Sequence, residues 1–309
     1  MKTIGDTLEE QTLSCPACGS KEWIARGQAK DFSVSGEWFE IRECPNCHLK
    51  ATFPQPSFND IGRYYASQDY ISHSDTRTGL INRLYHTARD YMMRKKYNWV
   101  RLASGLTSGR LLDVGAGTGH FAKYMKDHGW DVLALEPDNK ARKVASEKLG
   151  LDILPLESLA DQQKDSYDVI TLWHVLEHVH NVEGYIDQFH AILKTAGTLI
   201  IAVPNHTSTD AKKYGEKWAA YDVPRHLWHF SPASMKILLE RHGFNLHQKI
   251  NMPLDGFYVS MLSEKYKGNG LFGNVPAFFS GLQSFLAGRK NVDMGSSIIY
   301  VSKKKYEST

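Results

Sequence analysis

The stretch Leu111-Leu112-Asp113-Val114-Gly115-Ala116-Gly117-Thr118-Gly119 decides the fold of this 309-residue chain. Two leucines and a valine around one aspartate predict a short buried strand. Three glycines at alternate positions then predict a turn into the helical pattern that follows. Glycines let the backbone come close to a ligand, and the free N–H groups of the next helix favour electronegative groups. The stretch therefore predicts a cofactor site of the nucleotide type.

Strands and helical patterns alternate from Gly109 onward. Strands are predicted at 110–114, 131–135, 152–154, 167–172 and 198–203, and a last strand at 296–302 completes the sheet. This alternation is typical of a doubly wound parallel sheet. Ligands in such sheets bind beyond the carboxyl ends of the strands, which is where the glycines lie.

Three details indicate which cofactor binds. The spacing Gly115-x-Gly117-x-Gly119 differs from the G-x-G-x-x-G of dinucleotide sites. Asp113 lies within the first strand, where it can anchor the loop and face a cationic ligand. Glu136 closes the second strand, at about the distance at which a carboxylate reaches ribose hydroxyls.

With Glu136, the glycine stretch resembles the class I S-adenosylmethionine-dependent methyltransferases, most strongly over residues 106–205. The resemblance implies an α/β fold with a doubly wound, mostly parallel seven-stranded sheet, which is the Rossmann-like methyltransferase fold. It implies S-adenosyl-L-methionine as the cofactor, with the methionine moiety at the glycines, the ribose at Glu136 and the adenine near 156–158. The expected cofactor-binding residues are Asp113, Gly115, Gly117, Gly119, Glu136, Leu156, Glu157 and Trp173.

The stretch Trp173-His174-Val175-Leu176-Glu177-His178 follows the fourth predicted strand. It resembles the corresponding motif of ubiquinone-type O-methyltransferases. Imidazole titrates near neutrality and can accept a hydroxyl proton, so His174 and His178 are candidate general bases. The alternative is that Glu177 and His178 only cap the helix or bind buried backbone.

Some relatives carry a glutamate at the first position of this motif and hold a divalent metal with a later histidine. Here His174 replaces that glutamate, and magnesium prefers oxygen ligands. A borderline metal would still accept a His/Glu/His set. We expect no second divalent metal.

Aromatic residues and histidines are dense in the loop 218–232, and loops on rigid scaffolds often carry function. The resemblance extends to this loop and implies that His226 or His229 faces the substrate, with His226 favoured. Tyr65, Tyr70 or His73 could reach over the pocket as a lid, although packing between domains would also explain the tyrosines. Asp255 and Tyr258 are further possible substrate contacts.

All four cysteines lie in two short units, Cys15-Pro-Ala-Cys18 and Cys44-Pro-Asn-Cys47. Two such pairs around a strand-rich stretch are typical of a zinc ribbon, since four thiolates complete a tetrahedral shell. A complete shell has no open position, so this zinc is expected to be structural. Disulfides are disfavoured in a reducing compartment.

We therefore expect a zinc ribbon at 1–55, a helical connector or lid at 56–105, and a methyltransferase domain at 106–309 with substrate segments inserted near 205–230 and 250–295. The absence of a signal-like or spanning apolar run predicts a cytoplasmic protein without a membrane partner. The counts of 37 basic and 34 acidic residues argue against a nucleic-acid partner. The oligomeric state is not predicted.

The predicted function is methyl transfer from S-adenosylmethionine to a small-molecule or saccharide-like acceptor, at a hydroxyl oxygen and with a histidine base. The ribbon and core together also resemble bacterial sugar C-methyltransferases, in which a Tyr/His pair could remove a proton from carbon. The remaining alternatives are an RNA-directed methyltransferase and a non-catalytic module that binds the cofactor or a protein.

Overall fold

The ribbon at the N-terminus forms an antiparallel sheet with a segment from far along the chain. In the computed structural model, which describes residues 13–65, 80–269 and 273–305 (without the side chains of 80–86), its strands are β1 (Ile24–Lys30), β2 (Trp38–Glu43) and β3 (Lys50–Phe53). The fourth strand comes from residues 228–229, which pair with β3. The ribbon is therefore completed by the core domain.

A long helix, α1 (Leu80–Ser104), joins the ribbon to the main domain. This helix lies within the helical connector predicted at 56–105. The elements that follow, in chain order, are β4 (Arg110–Val114), α2 (His120–Asp127), β5 (Asp131–Leu135), α3 (Asn139–Leu149), β6 (Tyr167–Trp173), α4 (Val182–Ile192), β7 (Leu193–Pro204), α5 (Thr209–Tyr214), β8 (Trp228–His229), α6 (Pro232–Arg241), β9 (Phe244–Asn251), α7 (Asp255–Tyr266), α8 (Asn274–Lys290) and β10 (Ser297–Lys304).

Among the described residues, the main sheet has six strands in the order β5-β4-β6-β7-β10-β9. Strands β4 to β7 are parallel, and β10 runs antiparallel to both of its neighbours. The central strands are almost continuously apolar and buried, as expected for a sheet with helices on both faces. The predicted α/β fold class is confirmed.

Two details of the predicted sheet were wrong. The third predicted strand, 152–154, makes only an isolated bridge between Leu154 and Leu135, so the part of the chain that the structure describes forms a six-stranded sheet where seven strands were expected. Strand β9 was not predicted, because its sequence FNLHQKIN is mostly polar. An edge strand with one neighbour needs no continuous apolar run, which explains the weak signal.

Local sequence signals explain where several helices begin. The Asp138 side chain accepts a hydrogen bond from the Lys140 amide at the start of α3. Ser231 and Ser234 form a reciprocal capping box at the start of α6, with Pro232 in its first turn. Within the described ranges, no helix has the combined length and apolarity that crossing a bilayer requires.

Candidate active site

The glycine loop, residues 115–119, leads from the carboxyl end of β4 into α2 and is fixed by strand β5. The amides of Gly115 and Ala116 both donate to the Leu135 carbonyl, at 2.8 and 2.9 Å. Gly115 has a φ of 69°, and a Cβ at this position would lie 2.4 Å from Cγ2 of Val175. Only glycine fits there, since both the backbone and the neighbouring side chain exclude a larger residue.

Gly117 occupies a different environment in the same loop. Its φ is 55°, but a Cβ built on it would meet no heavy atom within 4 Å. The loop is therefore closed by packing at Gly115 and open at Gly117. This open side lies at the carboxyl edge of the sheet, where ligands of such folds bind.

Glu136, at the end of β5, faces the open side of the glycine loop. One carboxylate oxygen accepts from the Gly117 amide at 2.7 Å and the other from the Asp138 amide at 3.0 Å. Burial raises the pKa of Glu136, and the two amide donors oppose that rise. A buried carboxylate beside an open loop can accept hydrogen bonds from ligand hydroxyl groups.

Asp113 is buried in the middle of the sheet, where the Thr171 hydroxyl donates to it at 2.8 Å. Burial raises its pKa to about 7, although Thr171 and the cation of Lys96 favour the carboxylate. Burial also lowers the pKa of Lys96 to about 8, and its ammonium lies 4.5 Å from the centre of the Trp173 ring. Burial thus shifts both groups towards their neutral forms, and each in turn favours the charge of the other.

His174 follows β6 with a φ of 59°, a conformation that residues other than glycine adopt at a cost. Its Nε2 lies 2.9 Å from Oδ2 of Asp255, and its Nδ1 lies 3.3 Å from Oε1 of Glu177. Burial disfavours the charge, but Asp255 and Glu177 outweigh it and raise the pKa of His174 to about 10. His174 is therefore an imidazolium at neutral pH.

His178 lies in the turn after β6, and its Nδ1 lies 2.9 Å from the Arg225 carbonyl and 3.0 Å from the Tyr65 hydroxyl. A carbonyl can only accept, so Nδ1 carries the proton and Nε2 holds the lone pair. Burial, followed by the charge of His226, lowers the pKa of His178 to about 4. This imidazole is neutral.

His226 meets His178 ring to ring, with 4.6 Å between the ring centres. Its Nδ1 lies 2.9 Å from the Ala220 carbonyl and donates to it, so in the neutral ring the lone pair is on Nε2. We call His174, Glu177, His178 and His226 the histidine cluster. Apart from the ion pair with His174, neither buried oxygen of Glu177 has a hydrogen-bond partner within the part of the chain that the structure describes.

The loop that carries His226 is anchored to the ribbon through Arg225. This buried guanidinium contacts Asp31 at 3.1 Å and Asp222 at 2.6 Å, and donates to the Tyr64 carbonyl at 2.9 Å. The Thr52 hydroxyl of β3 donates to the His226 carbonyl at 2.7 Å. The sequence interpretation missed this anchoring, because Asp31 and Arg225 are 194 positions apart.

His229 lies in β8, on the ribbon side of the same loop. It is 3% exposed, and its Nε2 lies 3.1 Å from the Thr52 hydroxyl. Burial lowers its pKa well below the ordinary value. This position favours a structural role, and we leave His229 out of the catalytic set proposed below.

Comparisons with known proteins agree with this geometry. A family described as "Methyltransferase domain" matches residues 85–249, slightly more than half of the chain, which include the glycine loop and the histidine cluster. The chain belongs to the methyltransferase domain family. The family predicted from the glycine loop and Glu136 is confirmed.

Individual relatives share a quarter to a third of the matched residues with this chain. A ubiquinone biosynthesis O-methyltransferase from Acinetobacter baylyi is 32% identical over 119 residues, which are 36% of this chain and 50% of the relative. One from Idiomarina loihiensis is 25% identical over 59% of this chain and 84% of the relative. This chain thus spans about half the length of the first of these relatives. The crystal structure of a SAM dependent methyltransferase from Archaeoglobus fulgidus is 17% identical, with a TM-score of 0.47, over 70% of this chain and 94% of its own.

We call the edge of the sheet formed by the glycine loop, Asp113 and Glu136 the donor side. Gly117 faces open space, Glu136 offers carboxylate oxygens for hydroxyl groups, and Asp113 is a buried acid that a ligand cation would ionise. Trp173 packs edge-to-face on Phe121, 5.4 Å between ring centres, and so forms one apolar wall near this side.

The roles of the other site residues predicted from the sequence stay predictions. Leu156 and Glu157 begin a short helix at Leu156–Leu159, with Leu156 half-buried and Glu157 exposed. Asp255, a possible substrate contact, pairs with His174, and Tyr258, the other one, is 60% exposed. Tyr70 and His73 lie outside the described residues.

The histidine cluster meets some requirements of a divalent metal site. The ligand atoms of Glu177, His178 and His226 lie within 4.8 Å of one another. However, the imidazolium of His174 already lies against Glu177 and repels a second cation at that carboxylate. The absence of a second divalent metal stays a prediction.

The four cysteines of the ribbon converge, as their spacing predicted. Their sulfur atoms all lie within 4.8 Å of one another, with 3.4 Å from Cys15 to Cys47 and from Cys18 to Cys44. Disulfides require about 2.0 Å, whereas thiolates about 2.3 Å from a tetrahedral zinc lie about 3.8 Å apart. The cluster thus fits a zinc ion and no disulfide.

Proposed function

We propose that this methyltransferase transfers a methyl group from S-adenosylmethionine to a hydroxyl oxygen of a small-molecule or saccharide-like acceptor. The observation that carries the proposal is the family match, since it spans both the glycine loop and the histidine cluster. The relatives named O-methyltransferases support oxygen as the acceptor atom. When bound, S-adenosylmethionine supplies a sulfonium-activated methyl group.

On the donor side, the chain's own residues bind and orient the cofactor. Glu136 accepts hydrogen bonds from the ribose hydroxyls, and Gly117 leaves room for close approach of the backbone. Asp113, whose pKa burial has raised to about 7, becomes a carboxylate when a ligand cation lies nearby. These residues would hold the cofactor at the carboxyl edge of the sheet, where ligands of such folds bind.

On the acceptor side, His226 is the histidine best placed to accept the hydroxyl proton. His174 is already protonated, because Asp255 and Glu177 hold its charge. Protonation of His178 is opposed by burial and by the neighbouring His226. His226 has its lone pair on Nε2 and lies 3.9 Å from Asp222, whose carboxylate stabilises the imidazolium that forms.

With S-adenosylmethionine bound, the acceptor oxygen would gain the methyl carbon as the carbon–sulfur bond broke, and the electron pair of that bond would remain on sulfur. The hydroxyl proton moves to Nε2 of His226 and later to solvent. His178 and Tyr65 position the His226 ring, since the rings of the two histidines are in contact and the Tyr65 hydroxyl lies 3.0 Å from His178.

Transfer to carbon is the second candidate, and the contact between Tyr65 and His178 favours it, because a Tyr/His pair can remove a proton from carbon. The structure of the product distinguishes the two functions. An O-methyl product retains the carbon skeleton, whereas a C-methyl product gains a carbon–carbon bond that nuclear magnetic resonance detects.

The proposal is tested by calorimetry with S-adenosylmethionine, followed by incubation with a methyl-labelled donor and a panel of phenols and nucleotide sugars. We expect binding of the donor and label in an ether product. Absence of both binding and thermal stabilisation by S-adenosylmethionine would overturn the proposal.

We also infer that the four cysteines bind one structural zinc ion. Cys15, Cys44 and Cys47 are buried, and four thiolates complete the shell, which excludes substrate from the metal. Binding of the ion orders the turns at both ends of the ribbon. It thereby supports β3, which contacts the loop that carries His226.

A further inference from the structure

Helix α8 carries its large side chains on the outside and its small ones inside. The residues it buries are all small, namely Ala277, Ser280, Gly281, Ser284 and Gly288. The residues it exposes are large and apolar, namely Val275 (65% exposed), Phe278 (57%), Phe279 (63%) and Leu286 (53%). Most surface helices show the reverse distribution.

Close contact with α7 explains the small inner face. A Cβ on Gly281 would lie 2.7 Å from Cα of Phe257, and one on Gly256 would lie 3.2 Å from Cβ of Ser284. The two helices are too close to accommodate large side chains between them. The large residues of α8 therefore cannot turn inward. Phe278, Phe279 and Leu286 follow Val275 by three, four and eleven positions, and this spacing places all four on one face of the helix.

This outer face is continuous. Phe278 and Phe279 contact each other, with 5.9 Å between ring centres. Phe279, Leu282, Leu286 and Lys290 contribute to the lining of a shallow groove of about 440 Å³. A contiguous exposed apolar surface of this kind marks an interaction site.

The charges around the outer face favour one kind of partner. The sequence from Lys265 to Val292 contains four cationic residues and no aspartate or glutamate. Lys265, Lys267, Arg289 and Lys290 are all exposed, and Lys267 pairs with Glu264, which precedes this segment. A twofold contact with a second copy would bring two cationic segments together, whereas an anionic surface complements them.

We propose that the outer face of α8 docks on an anionic lipid bilayer. The helix lies in the plane of the interface, with Phe278 and Phe279 in the acyl boundary and Arg289 and Lys290 among the headgroups. This arrangement needs no spanning helix, and it departs from the sequence-based expectation of no membrane partner. That expectation rested on the absence of a signal-like or spanning apolar run.

Co-sedimentation of the full chain with vesicles tests the proposal. Phosphatidylglycerol-containing vesicles should bind the wild type at least about tenfold more strongly than pure phosphatidylcholine vesicles, since each basic residue near an anionic surface contributes about fivefold. The double change Phe278→Ser and Phe279→Ser should reduce binding at least about tenfold. Arg289→Gln with Lys290→Gln should remove most of the preference for anionic vesicles.

Phe58→Ser is the matched control, because Phe58 is 74% exposed and lies next to the ribbon. It should bind vesicles as the wild type does. Calorimetric binding of S-adenosylmethionine that equals the wild type shows that a variant is folded. If the phenylalanine variant does not fold, the variant with Arg289→Gln and Lys290→Gln still tests the preference for anionic vesicles. Equal binding to both vesicle types would overturn the proposal. The proposal would also be overturned if the chain bound no vesicles but self-associated in the ultracentrifuge, and if the two phenylalanine changes abolished that self-association.

Discussion

The donor side of the site is built from neighbouring residues, whereas the acceptor side is assembled from distant ones. Asp113, the glycine loop and Glu136 lie within two consecutive strand–turn units. The acceptor side combines Tyr65 beside the ribbon, the histidines after β6, the loop of Arg225 and His226, and Asp255 at the start of α7. The donor side thus depends on local geometry, and the acceptor side depends on how the ribbon packs on the core.

The largest effect expected from this contrast concerns the zinc ligands. Cys15→Ser should abolish binding of about one zinc per chain, because structural zinc contributes on the order of 10 kcal/mol to folding of its domain. Methyl transfer should fall by at least about a hundredfold, since the acceptor side loses its support. Affinity for S-adenosylmethionine should change by less than about threefold.

Mass spectrometry of the metal, together with calorimetry, measures both effects. Ser14→Ala, next to the ligand, is the control and should retain the zinc. If Cys15→Ser weakened the binding of S-adenosylmethionine as much as it lowered turnover, the donor side would depend on the ribbon as much as the acceptor side does.

His226→Gln tests the acceptor side alone. Turnover should fall by about 10²- to 10⁴-fold, which is the usual contribution of a general base, with donor affinity unchanged. The control is His247→Gln, because His247 is exposed on β9. Turnover of His226→Gln within about threefold of the wild type would remove this histidine from the mechanism.

Glu136→Gln tests the donor side. The loss of charged hydrogen bonds should cost about 2 kcal/mol, or about thirtyfold in the Kd for S-adenosylmethionine measured by calorimetry. Glu147→Gln, an exposed change on α3, should leave the Kd as it is. An unaltered Kd in the Glu136 variant would exclude the carboxylate from the ribose contact.

The smallest effect concerns the pH dependence of stability. The pKa of His174 is raised from about 6.5 in the unfolded chain to about 10 in the fold. Its stabilising charge is therefore fully present below about pH 6.5 and is lost as the pH rises through about 10. Urea unfolding should show His174→Gln less stable than the wild type by about 1 kcal/mol at pH 6. The difference in the free energy of unfolding should shrink towards pH 10. A difference that did not depend on pH would contradict the ion pairs of His174 with Asp255 and Glu177.

The same contrast explains how much could be predicted from the sequence. Strands β4 and β5 were predicted at their observed bounds, because their apolar runs and the glycines between them are local signals. The pair of His174 and Asp255 could not be predicted, since it joins the end of β6 to α7 across about eighty positions. Strand β9 lacked an apolar pattern, and β8 is too short to give one.

The pairing of β8 with β3 also has a consequence for synthesis of the chain. Residues 228–229 leave the ribosome about 175 residues after β3, which corresponds to about 10 to 35 s at ordinary translation rates. During that interval the nascent ribbon has only three strands, and the outer edge of β3 exposes unpaired backbone groups. Completion of this first-made sheet must therefore wait until most of the methyltransferase domain has been translated.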